Sequence, residues 1–272
     1  MVMIAEKSFS HADLEAMLGY AASALMEAAD KDVLPRYKKG RLLPHTHLKA
    51  DGSFVTEADM LAELTIRRCL SRYRNIGFLG EEWHAEGPQD IRWIIDPIDG
   101  TDLFILHIPM WSMMVALEAY GKVVLGAIYN PVTEELYTAY KGGGAFLKNS
   151  SMHVSSRDKT EDSFFVFSNF GKLGENRYWG GFQVLMDQAR SWRGIGDCPG
   201  WMLIADGRAD IGAHFGLGPE DIAAPKIIIE EAGGRVTDLA GENTIYSSHA
   251  LATNGQLHDE AIKLLHSPLT TK

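Results

Sequence analysis

The stretch Arg92-Trp93-Ile94-Ile95-Asp96-Pro97-Ile98-Asp99-Gly100-Thr101 decides how this chain is read. Arg92 to Ile95 reads as a buried strand that delivers Asp96 at its end. Pro97 lacks an amide donor and Gly100 tolerates left-handed backbone, so a sharp turn is expected there rather than a helix. Such a turn aims Asp96 and Asp99 at one point and exposes the Ile98 carbonyl and the amides of Gly100 and Thr101. Carboxylate and carbonyl oxygens suit a hard cation such as Mg²⁺, and exposed amides suit a phosphate. An isolated Asp-x-x-Asp is more often a solvated turn, so the rest of the chain has to decide.

Upstream, Ser10-His11-Ala12-Asp13 reads as a capping box, and Leu14, Met17, Ala21, Leu25 and Ala28 predict a helix ending near Pro35. Thr56-Glu57-Ala58-Asp59 is a second capping box, with Ala62, Ile66, Cys69 and Leu70 on one buried face of the helix behind it. Ile76 to Gly80 is a short apolar run leading into Glu81-Glu82. Ser112 to Tyr140 is strand-rich, with turns at Tyr120-Gly121 and Asn130-Pro131. Lys148-Asn149-Ser150-Ser151 forms a seam between an α+β half, residues 1–148, and an α/β half, residues 149–272, of one compact unit. In the second half Phe164 to Phe167 predicts a strand. Helices are expected over Tyr178 to Arg190, near Pro199 to Ala205, and over Asp221 to Ala232, where Gly233-Gly234 closes the last.

Composition narrows the classes. The 272 residues are 46% hydrophobic and 23% charged, which suits a globular chain able to bury a large core. Two cysteines, Cys69 and Cys198, make no disulfide framework or zinc pattern, so a reducing cytoplasm is expected. No apolar run is long enough for a membrane span, and the first ten residues lack a signal-peptide apolar region. A formal net charge of −10 argues against nucleic acid as a partner but leaves small anionic substrates open, because a bound divalent metal can reverse the local field.

With Asp102-Leu103-Phe104 added, the segment from Trp93 resembles the first signature of the inositol monophosphatase superfamily. Asp221-Ile222-Ala223-Ala224 with Glu230-Glu231-Ala232-Gly233-Gly234 resembles the second. Asp51-Gly52-Ser53-Phe54-Val55-Thr56-Glu57-Ala58-Asp59 and Gly80-Glu81-Glu82 match in the same order, so the likeness spans about Asp51 to Gly234. The resemblance implies an α+β fold, a layered α/β/α/β/α sandwich, usually a homodimer, and lithium sensitivity. It also implies a phosphatase that uses two to three Mg²⁺ per site to direct water onto a small-molecule phosphate monoester. By this analogy Glu81, Asp96 and the Ile98 carbonyl hold one Mg²⁺, and Asp96, Asp99 and Asp221 a second. A third sits near Glu81, the Gly100 and Thr101 amides face phosphate, and the Thr101 hydroxyl orients the water with Asp51 as acidic partner. Like charges about 4 Å apart repel by about 4 kcal/mol at an effective dielectric near 20, so four such carboxylates need cations or must stay protonated.

The remaining candidates carry plainer readings too. Asp59 reads as a structural cap, Asp102 as a rim residue, and Glu82 either as support for Glu81 or as a solvated neighbour. Glu220 stands where the family usually has Trp, and Pro225 falls early in the helix expected after Asp221. His214 stands seven residues before Asp221, where the resemblance implies a glutamate that grips the inositol hydroxyls in inositol-specific members, so a histidine there weighs against inositol phosphate. Gly196-Asp197 looks like the Gly-Asp of histidinol-phosphate phosphatases. Asp197 and His214 are therefore the expected substrate-binding residues, with Asp197 read either as partner of a substrate ammonium or as a helix cap. Inositol monophosphate is the expected substrate, with histidinol phosphate and 3′-phosphoadenosine 5′-phosphate as the alternatives. The alternative class, a regulatory interaction protein, would have eroded metal ligands.

Overall fold

Alternation along two neighbouring strands shows how the layers are built. Trp93 and Ile95 face one side of a sheet with Met113, Val115 and Leu117, while Ile94 faces the other with Met114 and Ala116. A strand that is apolar on both sides has to be covered on both sides. The structure, a computed structural model, describes residues 9–39, 46–49, 54–169 and 178–267.

The elements in chain order are α1 (His11–Ala28), a π turn (Ala29–Val33), α2 (Leu34–Tyr37), β1 (Thr46–Leu48), β2 (Phe54–Thr56) and α3 (Glu57–Leu70). Then come β3 (Gly77–Gly80), β4 (Ile91–Asp99), α4 (Thr101–Ile105), β5 (Ser112–Ala119), β6 (Lys122–Asn130), β7 (Glu135–Tyr140), β8 (Gly144–Leu147) and β9 (Ser150–Ser151). After a 3₁₀ turn (Thr160–Asp162) follow β10 (Phe164–Ser168), α5 (Trp179–Gln188), β11 (Ser191–Arg193), α6 (Asp197–Ala205) and β12 (Ile211–Phe215). The chain continues through α7 (Pro219–Glu231), β13 (Arg235–Thr237), β14 (His249–Thr253) and α8 (His258–Leu265).

Among the described residues, strands β3 to β9 form one sheet in sequence order, with β3 parallel to β4 and the rest antiparallel. A second sheet has the order β11-β10-β12-β14-β13. Helices α1 and α3 cover one face of the large sheet through Leu14, Leu25, Ala62 and Ile66. On its other face lie α6 and α7, which are shared with the small sheet through Trp201, Ile222, Ile228, Val166 and Ala252. Helices α5 and α8 close the outer face of the small sheet through Phe182, Leu185 and Leu265. This is the α/β/α/β/α sandwich of an α+β protein.

Both capping boxes form. Ser10 Oγ accepts the Asp13 amide at 3.2 Å, and the Asp59 carboxylate accepts the Thr56 amide at 2.8 Å. Helix α1 ends at Ala28, and helical backbone continues through the π turn into α2, which ends at Tyr37, two residues past Pro35. Pro35 sits in the first turn of α2, where a missing amide leaves no bond unmade. Helix α7 lies close against β6 at Gly126, where a Cβ would come within 2.7 Å of Ile227 Cγ2 and 3.0 Å of the Ala224 Cα. Gly126→Val therefore overpacks the layer that carries Asp221. It should cost about 1–3 kcal/mol in urea unfolding of metal-free protein, and an unchanged midpoint would contradict this packing.

Candidate metal centre

Residues three apart on a regular strand point to opposite faces, so Asp96 and Asp99 could not meet if β4 were regular. The register solves this. Asp96 pairs with Met114 and Asp99 with Ser112, so three steps on β4 oppose two on β5. The extra residue is a β-bulge at Pro97-Ile98, where the proline has no amide to offer the ladder. Both carboxylates then turn to one point, and the strand runs on through Asp99 instead of ending at Asp96 as its apolar pattern suggested. The turn comes at Gly100, whose φ of +83° and whose closeness to Asp197 Oδ2, 3.3 Å from a built Cβ, leave room for glycine alone.

Asp221 arrives from the first turn of α7, held by the Gly218 amide at 2.6 Å. Among the described residues, oxygens of Asp96, Asp99 and Asp221 all lie within 4.8 Å of one another. Asp96 and Asp99 are buried, and the Ile98 and Cys198 amides donate to them at 3.0 and 2.5 Å. Burial, then the charge of Glu81, pushes Asp96 well above the ordinary carboxylate range; burial and Asp197 do the same to Asp99. Burial pushes Asp221 up to about 8 despite its amide bond, with Glu220 and Glu81 adding to the rise. Three oxygens this close, two of them on buried side chains, form a donor set for a hard divalent cation, which would restore their ionised forms.

Glu81 lines the same cavity of about 540 Å³, together with Gly100, Thr101, Asp102, Asp197 and Glu220. Its Oε1 accepts from Lys49 Nζ at 2.6 Å, and Glu82 accepts from the same ammonium at 2.7 Å. Burial works against the Lys49 charge, but Glu81 and Glu82 outweigh it and its pKa is raised. Glu82 is thus a buried neighbour of Glu81, pushed up to about 7 by burial and by the charge of Glu81. Glu220 folds back over Gly218, where a Cβ would stand 2.0 Å from Glu220 Oε1.

Two other sequence expectations change. Asp59 caps α3 as expected, but its second oxygen lies 3.2 Å from Thr101 Oγ1, so a residue read as structural reaches the site. Thr101 Oγ1 also lies 3.1 Å from the Ile98 carbonyl. Asp51, the expected partner of Thr101, lies outside the described residues. His214 is 0% exposed on β12, with its ring 3.7 Å from that of Trp201 and Nδ1 2.9 Å from Ser168 Oγ. Burial lowers it to about 3, so it is neutral, and it does not line the cavity. Alternation on β12 turns it toward α6, behind the site, so it does not serve as the expected substrate contact. Asp197 does line the cavity at the start of α6, with its carboxyl pushed up to about 6 by burial and by Asp102. Lys49 carried no signal in the sequence beyond a position in a polar segment.

A family model described as "Inositol monophosphatase family" matches residues 7–269. The chain is 39% identical to a histidinol-phosphatase of Chlorobaculum parvum, over 85% of this chain and 90% of that protein. It is 36% identical to an inositol-1-monophosphatase of Mesorhizobium japonicum, over 83% and 87%. Among solved structures, the extragenic suppressor protein suhB of Bartonella henselae superposes with a TM-score of 0.85 at 32% identity, covering 92% of this chain and 98% of that one.

The raised carboxylates set a pH dependence for metal-free protein. Folded values above an unfolded value of about 4 contribute stability that is complete at low pH and is lost as pH rises through the folded values. For Asp221 that loss finishes near its folded value of about 8. Buried His214 and His258 work the other way, at folded values of about 3 and about 4, so their effect is spent once pH exceeds about 6.5. In EDTA the melting temperature should fall from about pH 6.5 to about pH 8.5, and an added divalent cation should stabilise more at the upper end. A flat profile in EDTA would contradict the buried acidic cluster.

Proposed function

This chain belongs to the inositol monophosphatase family and is a phosphoric monoester hydrolase; on that premise, we propose that it is Mg²⁺-dependent and acts on a small phosphate monoester whose alcohol carries a cationic amine, histidinol phosphate being the leading substrate. The observation that carries the metal reading is the convergence of Asp96, Asp99 and Asp221 oxygens within 4.8 Å. Asp96, the Ile98 carbonyl and Glu81 would hold one ion, Asp96, Asp99 and Asp221 another, with a third near Glu81. Bound divalent ions supply charge compensation at the phosphoryl oxygens and make an attacking water more acidic.

The residues of the chain do the positioning. The Thr101 hydroxyl, fixed between Asp59 Oδ1 and the Ile98 carbonyl, orients the water, so Asp59 joins Asp51 as a candidate acidic partner. The backbone at Gly100 and Thr101, which line the cavity, would face the phosphate. Asp197 supports the choice of leaving alcohol. Burial disfavours its charge, and a substrate ammonium beside it would restore it. A second reading, inositol monophosphate, rests on the 36% identity to the Mesorhizobium enzyme.

A homodimer is supported by family resemblance and by the exposed apolar side chains of Leu106 (58%) and Ile108 (39%). Lithium inhibition rests on the resemblance alone. A cytoplasmic location is supported by the two free cysteines.

Phosphate release from histidinol phosphate and from inositol 1-phosphate, with Mg²⁺, tests the substrate. The expected result is a kcat/KM preference of about a hundredfold for histidinol phosphate, or about 2.7 kcal/mol. Asp197→Asn should erase most of that preference, whereas equal losses on both substrates would overturn the role given to Asp197. Asp99→Asn should lower kcat by at least about a hundredfold on either substrate. Retained activity in that variant would sink the metal assignment.

A further inference from the structure

Glu81 reaches the cavity from the segment after β3; its own amide bonds the Ile95 carbonyl, and the residues that follow it are held from α3. Glu63 is 0% exposed, and its Oε2 accepts the Glu82 amide at 2.8 Å. Its other oxygen accepts from Arg67 Nε at 2.8 Å, one helical turn along. Arg67 in turn donates to the carbonyls of Trp83 and His84 at 3.0 and 3.2 Å. The backbone on the other side of Glu81 is fitted to the same carboxylate, since a Cβ on Gly80 would stand 1.8 Å from Glu63 Oε1. Gly80 has no left-handed backbone to explain the glycine; the close approach of Glu63 does.

We propose that the Glu63–Arg67 pair is a positioning device for Glu81, a clamp from α3 that fixes where this carboxylate meets the cavity. A buried ion pair is often neutral for stability compared with an apolar replacement, so folding alone is a weak reason for it. A charged pair that spends three of its hydrogen bonds on the backbone of residues 82–84 has a geometric use: it removes the freedom of the loop that carries Glu81. Groups that orient metal ligands typically contribute 10–100-fold in metal affinity, roughly, when they are replaced. The inference rests on the reading of Glu81 as a metal ligand, and its test separates the two.

The experiment uses the full chain with Mn²⁺ as probe, its free concentration read by electron paramagnetic resonance, alongside melting temperatures in EDTA. Glu63→Gln and Arg67→Lys should each weaken Mn²⁺ binding about 10–100-fold. A merely structural pair would lower the melting temperature in EDTA and leave the affinity alone. Gly80→Ala should weaken binding to a similar degree by pushing Glu63 aside. In a Glu63→Ala background the same glycine change should add little, because both act through one contact. Additive losses, or wild-type affinity in both Glu63→Gln and Arg67→Lys, would overturn the clamp. Glu81→Gln is the control. If it binds Mn²⁺ like wild type, the metal role of Glu81 fails, and the clamp fails with it.

Discussion

Asp96, Asp99 and Asp221 are driven together at one wall of a cavity, and the rest of the site is arranged around their mutual repulsion. Like charges about 4 Å apart cost about 4 kcal/mol at an effective dielectric near 20, and burial adds a desolvation cost to each. Without a cation the carboxyls answer by holding protons, which is the direction in which all three are pushed. Lys49 shows the same need in miniature, since its ammonium bridges Glu81 and Glu82 at the edge of the cavity.

The layers exist to hold this convergence. Strand β4 brings Asp96 and Asp99 from the large sheet, and α7, packed across that sheet near Gly126, brings Asp221 from the second half of the chain. Helix α6 ties the two together, because its Cys198 amide donates to Asp99 while Asp197 lines the cavity. Trp201 of α6 stacks on neutral His214 of β12, which packs α6 against the small sheet. Helix α3 supplies Asp59 to Thr101 and Glu63 to the Glu81 loop, which makes it a support for two separate edges of the site.

Much of this could be read in the residues alone, and the failures have physical causes. The two capping boxes, the strand before Asp96 and the helix that carries Asp221 follow from local patterns, and local patterns survive in the fold. The bulge at Pro97-Ile98 does not, because a one-residue register shift is a relation between two strands and appears in neither alone. Asp59 was legible as a cap, but its second oxygen acquires a partner 42 residues away only when α3 packs under β4. Lys49 likewise finds Glu81 across 32 residues. His214 misled because a family position carries no facing; on β12 its side chain turns into the core, while Asp197, with φ of +54°, stays in the cavity wall.

The central claim is that the acidic cluster is a cation site and not a set of protonated side chains. Crystals equilibrated with Mn²⁺ and measured for anomalous scattering test it directly. The account predicts a strong anomalous peak bounded by the carboxylates of Asp96, Asp99 and Asp221. An empty map at that point, with the three carboxylates still drawn together, would contradict it.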